Sequence, residues 1–76
     1  METRDMIRMA NQIAGFFHGS GPEAEAHDVA EHINKFWEPH MRQALFAHLD
    51  HGGEGLDATI IKAATMIKRP KASAPA

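Results

Sequence analysis

Apolar residues recur at spacings of three and four in four stretches, each cut off by glycine or proline, and this constrains the chain to short amphipathic helices. In the first stretch Met6, Met9, Ala10, Ile13, Phe16 and Phe17 share a face. Thr3 can cap its start, and Gly19 stands where a left-handed residue would end it. The second starts at Ser20-Gly21-Pro22-Glu23, which fits either a capping box from Ser20 to Glu23 or a helix with Pro22 in its first turn. Its stripe is Ala26, Val29, Ala30, Ile33, Phe36 and Trp37, with Glu31 one turn before Lys35 on the outside. Pro39 disfavours helical geometry at Glu38 and closes that helix, yet suits the first turn of a third. The third carries Met41, Ala44, Leu45, His48 and Leu49 and stops at Gly52-Gly53. Asp57 then caps a fourth, with Leu56 and Ile61 placed as a hydrophobic staple and Ile60, Ala64 and Ile67 as its stripe, before Pro70 stops it.

No alternating apolar run is long enough for a strand, and connections this short predict neighbouring, roughly antiparallel helices. The expected fold is all-α: a small bundle of about four short helices, arranged as two helical hairpins, in a single domain over residues 1–68. A disordered C-terminal tail is expected over 69–76, where Arg-Pro-Lys-Ala-Ser-Ala-Pro-Ala has nothing large to bury. The six apolar positions of the first helix reappear twenty residues later in the second, a likeness that a 3.6-residue period largely produces by itself.

At 76 residues the chain buries only ~60% of the surface its unfolded form exposes, so its core is marginal without a staple. With no cysteine, that staple is not a disulfide, and thiolate metal sites, iron–sulfur ligation and thiol catalysis are excluded. A net charge of −2 is too small to imply nucleic-acid or acidic-membrane binding. The uncharged stretch from Met9 to Ser20 is too short and too polar to span a bilayer, and Met1-Glu2-Thr3-Arg4-Asp5 lacks the start of a secretory signal. A cytoplasmic protein without membrane contact is expected.

The apolar arc is wide. The first helix spreads large groups over about half its circumference, the second sets Phe36 beside Trp37, and Phe46 lies off the Met41–Leu45–Leu49 stripe. A bundle this small cannot easily cover both rings of each adjacent pair, so Phe16, Phe17, Phe36 and Trp37 are candidate partner-interface residues. Met6, Met9, Met41 and Met66 suit either core gaps or an adaptable surface, and spacing does not separate the two.

The segment Lys35-Phe36-Trp37-Glu38-Pro39-His40-Met41-Arg42 adds His40, Met41 and Arg42 to those candidates. Arg42 near a helix N-terminus is electrostatically disfavoured, which points to a specific partner, either Glu38 or a carboxylate or anion outside the chain.

Metal and catalytic readings are weaker. Of six histidines, His18, His48 and His51 lie at helix ends, where they complement free carbonyls, and His27 and His32 diverge around one helix. Protonating all six would move the charge from −2 by six, to +4, so association could depend on pH. Gly52-Gly53-Glu54-Gly55 lacks the lysine and strand of a phosphate loop, and Ser20 and Ser73 have no base arranged beside them. No catalytic, cofactor-binding or metal-ligating residue is assigned.

Taken together, Met9-Ala10-Asn11-Gln12-Ile13-Ala14, Phe16-Phe17, His32-Ile33, Phe36-Trp37 with Pro39, Met41 and Arg42, and Gly52-Gly53-Glu54-Gly55-Leu56 resemble the delta subunits of NAD-dependent formate dehydrogenases, from about Asp5 to Ile67. His40 departs from the arginine expected there; if that position meets an anion or acidic partner, the contact would weaken at high pH. The resemblance implies a non-catalytic accessory subunit that stabilises or helps assemble a soluble multi-subunit enzyme, binding its catalytic alpha subunit. In such a complex the molybdenum or tungsten bis-molybdopterin guanine dinucleotide centre, the iron–sulfur clusters, FMN and NAD all belong to other subunits. Two alternatives stand beside it: a free-standing homo-oligomeric interaction module, and a nucleic-acid binder, which the charge and the lack of a basic recognition helix disfavour.

Overall fold

Pro22 and Pro39 each take the first position of a helix, where the missing N–H has no intrahelical partner to lose. The computed structural model describes residues 2–70 and is built from α1 (Thr3–Phe16), α2 (Pro22–Phe36), α3 (Pro39–Asp50), α4 (Ala58–Ala63) and a closing 3-10 turn, Ala64–Met66. The described residues contain no strand, and none of their helices is long and apolar enough to cross a membrane. The expected tail lies outside the described residues from position 71 onward.

Local chemistry decides the boundaries, in places differently from the sequence expectation. Thr3 is the first residue of α1 rather than its cap; Glu2 holds that position without a side-chain hydrogen bond. At the α1–α2 turn the Pro22 start prevails over the capping box, with Gly21 as cap at φ +99°. Glu25, only 9% exposed, closes this turn by accepting the backbone N–H of Gly19 at 2.6 Å and of Gly21 at 3.3 Å. Asp57 caps α4 as expected, accepting the Thr59 N–H at 2.9 Å.

The largest difference is at α4. Its stripe predicts a helix through Ile67, but the helix stops at Ala63, tightens into the 3-10 turn and leaves Ile67 extended (φ −87°, ψ 133°) with its side chain buried. Side-chain amides from other helices explain this. Asn11 of α1 donates from Nδ2 to the Gly55 carbonyl (2.9 Å), and its Oδ1 accepts the Asp57 N–H (2.8 Å). Asn34 of α2 repeats the grip eleven residues on, donating to the Met66 carbonyl (3.1 Å) and accepting the Lys68 N–H (2.7 Å). Each amide pairs with a C=O and an N–H two residues apart, and so holds an extended backbone where a helix would otherwise continue.

Past Met66 the chain is strapped to α3. Arg42 Nη1 donates to the Lys68 carbonyl at 2.7 Å, while its Nε is buried without an acceptor among the described residues. Arg69 lies over the Phe46 ring, 4.5 Å from its centroid, and reaches both Asp50 oxygens at 3.1 and 3.4 Å. Packing therefore continues through Arg69, one residue beyond the expected domain end.

The core gathers Met6, Ala10 and Ile13 of α1, Ala26, Val29, Ala30 and Ile33 of α2, Leu45 and Phe46 of α3, and Ile60 and Ala63 of α4. Alanines fill the closest approaches and are fully buried at 10, 26 and 63. The most extensive helix contacts join α2 to α4 and α1 to α3. Consecutive helices are thus not the principal packing partners that two hairpins would make them, because the straps carry the last segment across α2.

Two outcomes follow. Asn11→Ala and Asn34→Ala each remove two hydrogen bonds and are expected to destabilise the fold by about 1–3 kcal/mol, read from urea unfolding followed by circular dichroism. The Asp50 carboxyl lies below the ordinary aspartate range, chiefly because the Arg69 guanidinium hydrogen-bonds it, and further because of the charges of Arg69 and His51. Its contribution to stability is then present above the unfolded value of about 4 and lost as pH falls through the lower folded value. Carboxyl-carbon NMR titration is expected to show this depression in the native chain and its disappearance in Arg69→Ala.

Candidate interaction surface

α2 carries two stripes. One, with Ala26, Val29, Ala30 and Ile33, is buried. The other runs Asp28, Glu31, His32, Lys35 and Phe36 at spacings of three and four, and with Phe17 from the end of α1 it lines an open recess of about 170 Å³. His32 stands between two rings, edge-on to Phe17 at 6.0 Å between centroids and tilted against Phe36 at 4.8 Å. Pockets that enclose small molecules typically reach ~300–1,000 Å³, so this one is a shallow surface feature.

The candidate interface residues fall into different settings. Of each adjacent aromatic pair, one ring stays outside: Phe16 is 80% exposed and Phe36 is 67% exposed. Phe17 is half-buried against the core, whereas Trp37, at 6% exposed, belongs to the core itself. α2 ends at Phe36, so Trp37 adopts an extended backbone (φ −84°, ψ 134°) and its ring is buried among the core residues. Phe46, which lies off its helix stripe, is also buried, because Arg69 roofs it. His40 pairs with Glu38 at 3.2 Å in an exposed contact, Met41 is half-buried against the core, and Arg42 is engaged by the Lys68 carbonyl rather than by Glu38. The structure thus brings together Phe17 and Phe36 through His32, and leaves His40, Met41 and Arg42 at the α2–α3 break.

The other histidines have local partners. A carbonyl can only accept, so His48 Nε2–H donates to the Glu54 carbonyl (2.7 Å) and His51 Nδ1–H to the Ala47 carbonyl (2.8 Å). His18 lies 4.0 Å from the Glu25 carboxylate. Among the described residues, His27, Asp28 and Glu31 come closest to a ligand set, with one donor atom from each within 4.8 Å of the others. His27 and Glu31 are exposed and Asp28 only half-buried, and a single histidine with two carboxylates open to water chelates weakly.

Sequence reasoning missed Asp28, Glu31 and His32 as members of a surface. The signal was available in their spacing with Phe36, a second periodic stripe mixing rings and carboxylates beside the apolar one.

The described residues thus form a small helical domain with a closed core and two phenylalanine rings, Phe16 and Phe36, exposed to water. The chain belongs to the NADH-dependent formate dehydrogenase delta subunit family, FdsD, whose profile matches residues 5–64. That span takes in Asn11, Asn34 and every residue of the recess. A search of curated proteins finds no match to the chain.

Burial separates the rings energetically. Phe16→Ser and Phe36→Ser are expected to change stability by no more than about 0.5 kcal/mol, while Trp37→Ala is expected to cost about 3–5 kcal/mol. Thermal melts by circular dichroism check both.

Proposed function

We propose that this chain is an accessory subunit without catalytic residues of its own, which binds the catalytic alpha subunit of a cytoplasmic NADH-dependent formate dehydrogenase and stabilises or helps assemble it. Family membership supports the enzyme, and the observation that carries the mode of action is the exposure of Phe16 and Phe36 on a domain whose core is already closed. Large rings held in water are unfavourable unless a partner covers them, and such rings concentrate binding energy when covered.

The proposed action is thermodynamic. A subunit that binds only the folded catalytic chain draws its equilibrium toward the fold by mass action, about 2.7 kcal/mol when present at a hundred times its dissociation constant. In this reading the metal–pterin centre, the iron–sulfur clusters, FMN and NAD stay on other subunits. The chain has no cysteine with which to ligate a cluster.

Co-expression with a tagged alpha subunit tests the reading. The chain is expected to co-purify and to raise the yield of active enzyme, and a Phe16→Ser/Phe36→Ser double variant to fold normally yet be retained about tenfold less. The reading fails if the unaltered chain neither co-purifies nor changes yield or activity. A chain that instead elutes as a concentration-dependent dimer, and becomes monomeric in the double variant, would establish the homo-oligomeric module in its place.

A further inference from the structure

The chain already holds one guanidinium in a cradle of its own making. On α3, Phe46 and Asp50 stand one turn apart; Arg69 lies over the ring at 4.5 Å and forks to the two carboxylate oxygens at 3.1 and 3.4 Å. α2 brings rings and carboxylates together in one recess open to solvent, with Asp28 one turn before His32 and two turns before Phe36. Asp28, His32 and Phe36 follow one another at spacings of four, Glu31 lines the same recess beside His32, and Phe17 of α1 closes its side. Among the described residues, neither Asp28 nor Glu31 pairs with a lysine or an arginine; the partner of Asp28 is the neighbouring His27, at 3.6 Å. The arginines at 8, 42 and 69 are engaged with Asp5, the Lys68 carbonyl and Asp50.

The geometry points to a function for this recess: it receives an arginine side chain presented by the subunit that the chain binds, with the guanidinium stacked on the rings and paired with Asp28 and Glu31. This rests on the proposed reading in which the same face docks on the alpha subunit. Arginine is favoured over lysine because a planar fork can stack on a ring and hydrogen-bond a carboxylate at once, whereas an ammonium is a compact, strongly hydrated point charge. Lys35, next to Phe36 in the stripe, repels a cation at that end and places the guanidinium toward Asp28 and Glu31.

Two measurements on the full chain test the inference. In the first, N-acetyl-arginine amide is titrated into the isotope-labelled chain and followed by NMR. Saturable shifts are expected at Asp28, Glu31, His32 and Phe36. They should be absent with the uncharged isostere N-acetyl-citrulline amide and in an Asp28→Asn/Glu31→Gln variant. In the second, retention by the co-expressed alpha subunit is expected to fall about tenfold in Asp28→Asn/Glu31→Gln and to rise in Lys35→Glu, with the unbound thermal melt unchanged in both. The inference is overturned if the arginine probe gives no saturable shift at these residues, if citrulline matches it, or if retention ignores the charge changes while the exposed-ring variant still loses it. Failure of the unaltered chain to co-purify overturns the accessory-subunit reading instead, and the probe titration then still decides the chemistry of the recess.

Discussion

Two asparagine side chains hold the last third of this fold in place. α4 has six residues, far fewer than an isolated helix needs to persist in water, where lengths below ~12–15 residues are marginal. It survives because Asn11 grips the backbone just before it and Asn34 grips the backbone just after it, each amide satisfying one donor and one acceptor. Between the two grips lie Ile60 and Ala63, which close the core over α2. The clamps therefore couple a local hydrogen-bonding arrangement to the burial that stabilises the whole domain.

The route into α4 is equally determined by backbone chemistry. After α3 the chain turns through Gly52 and Gly53, both at positive φ, and a Cβ on Gly53 would stand 3.2 Å from a Leu49 methyl carbon. His48 extends past the helix end to the Glu54 carbonyl, so α3 and the incoming segment are tied before Asn11 takes hold. With no cysteine available, a series of amide, imidazole and guanidinium contacts to the backbone does the fastening that a disulfide does in other small domains.

This division of labour leaves the outer stripe of α2 free of structural duty. The buried stripe packs on α4, Asn34 fastens the strap, and the residues between them carry rings and carboxylates in a shallow recess. Phe16 and Phe36, 80% and 67% exposed, lie outside the closed core and contribute little to the isolated fold. The chain's own Arg69 on Phe46 and Asp50 illustrates how a ring and a carboxylate one turn apart can seat a guanidinium.

Periodicity and punctuation by themselves determined that the chain is all-α, that it has four helices, and nearly where three of them begin and end, because proline, glycine and apolar spacing act on the backbone locally. The Asp57 cap and the surplus of aromatic surface were legible for the same reason. Only the tertiary structure decided which helices pair, why α4 stops at Ala63, and which ring of each adjacent pair is drawn inside. Asn34 reaches Lys68 across 34 residues and Asn11 reaches Asp57 across 46. A helical stripe records what a residue could bury, while contacts at that separation depend on the whole chain having folded. Trp37 and Phe36 are indistinguishable as neighbours in a sequence; the break before Pro39 turns one into the core and leaves the other in water.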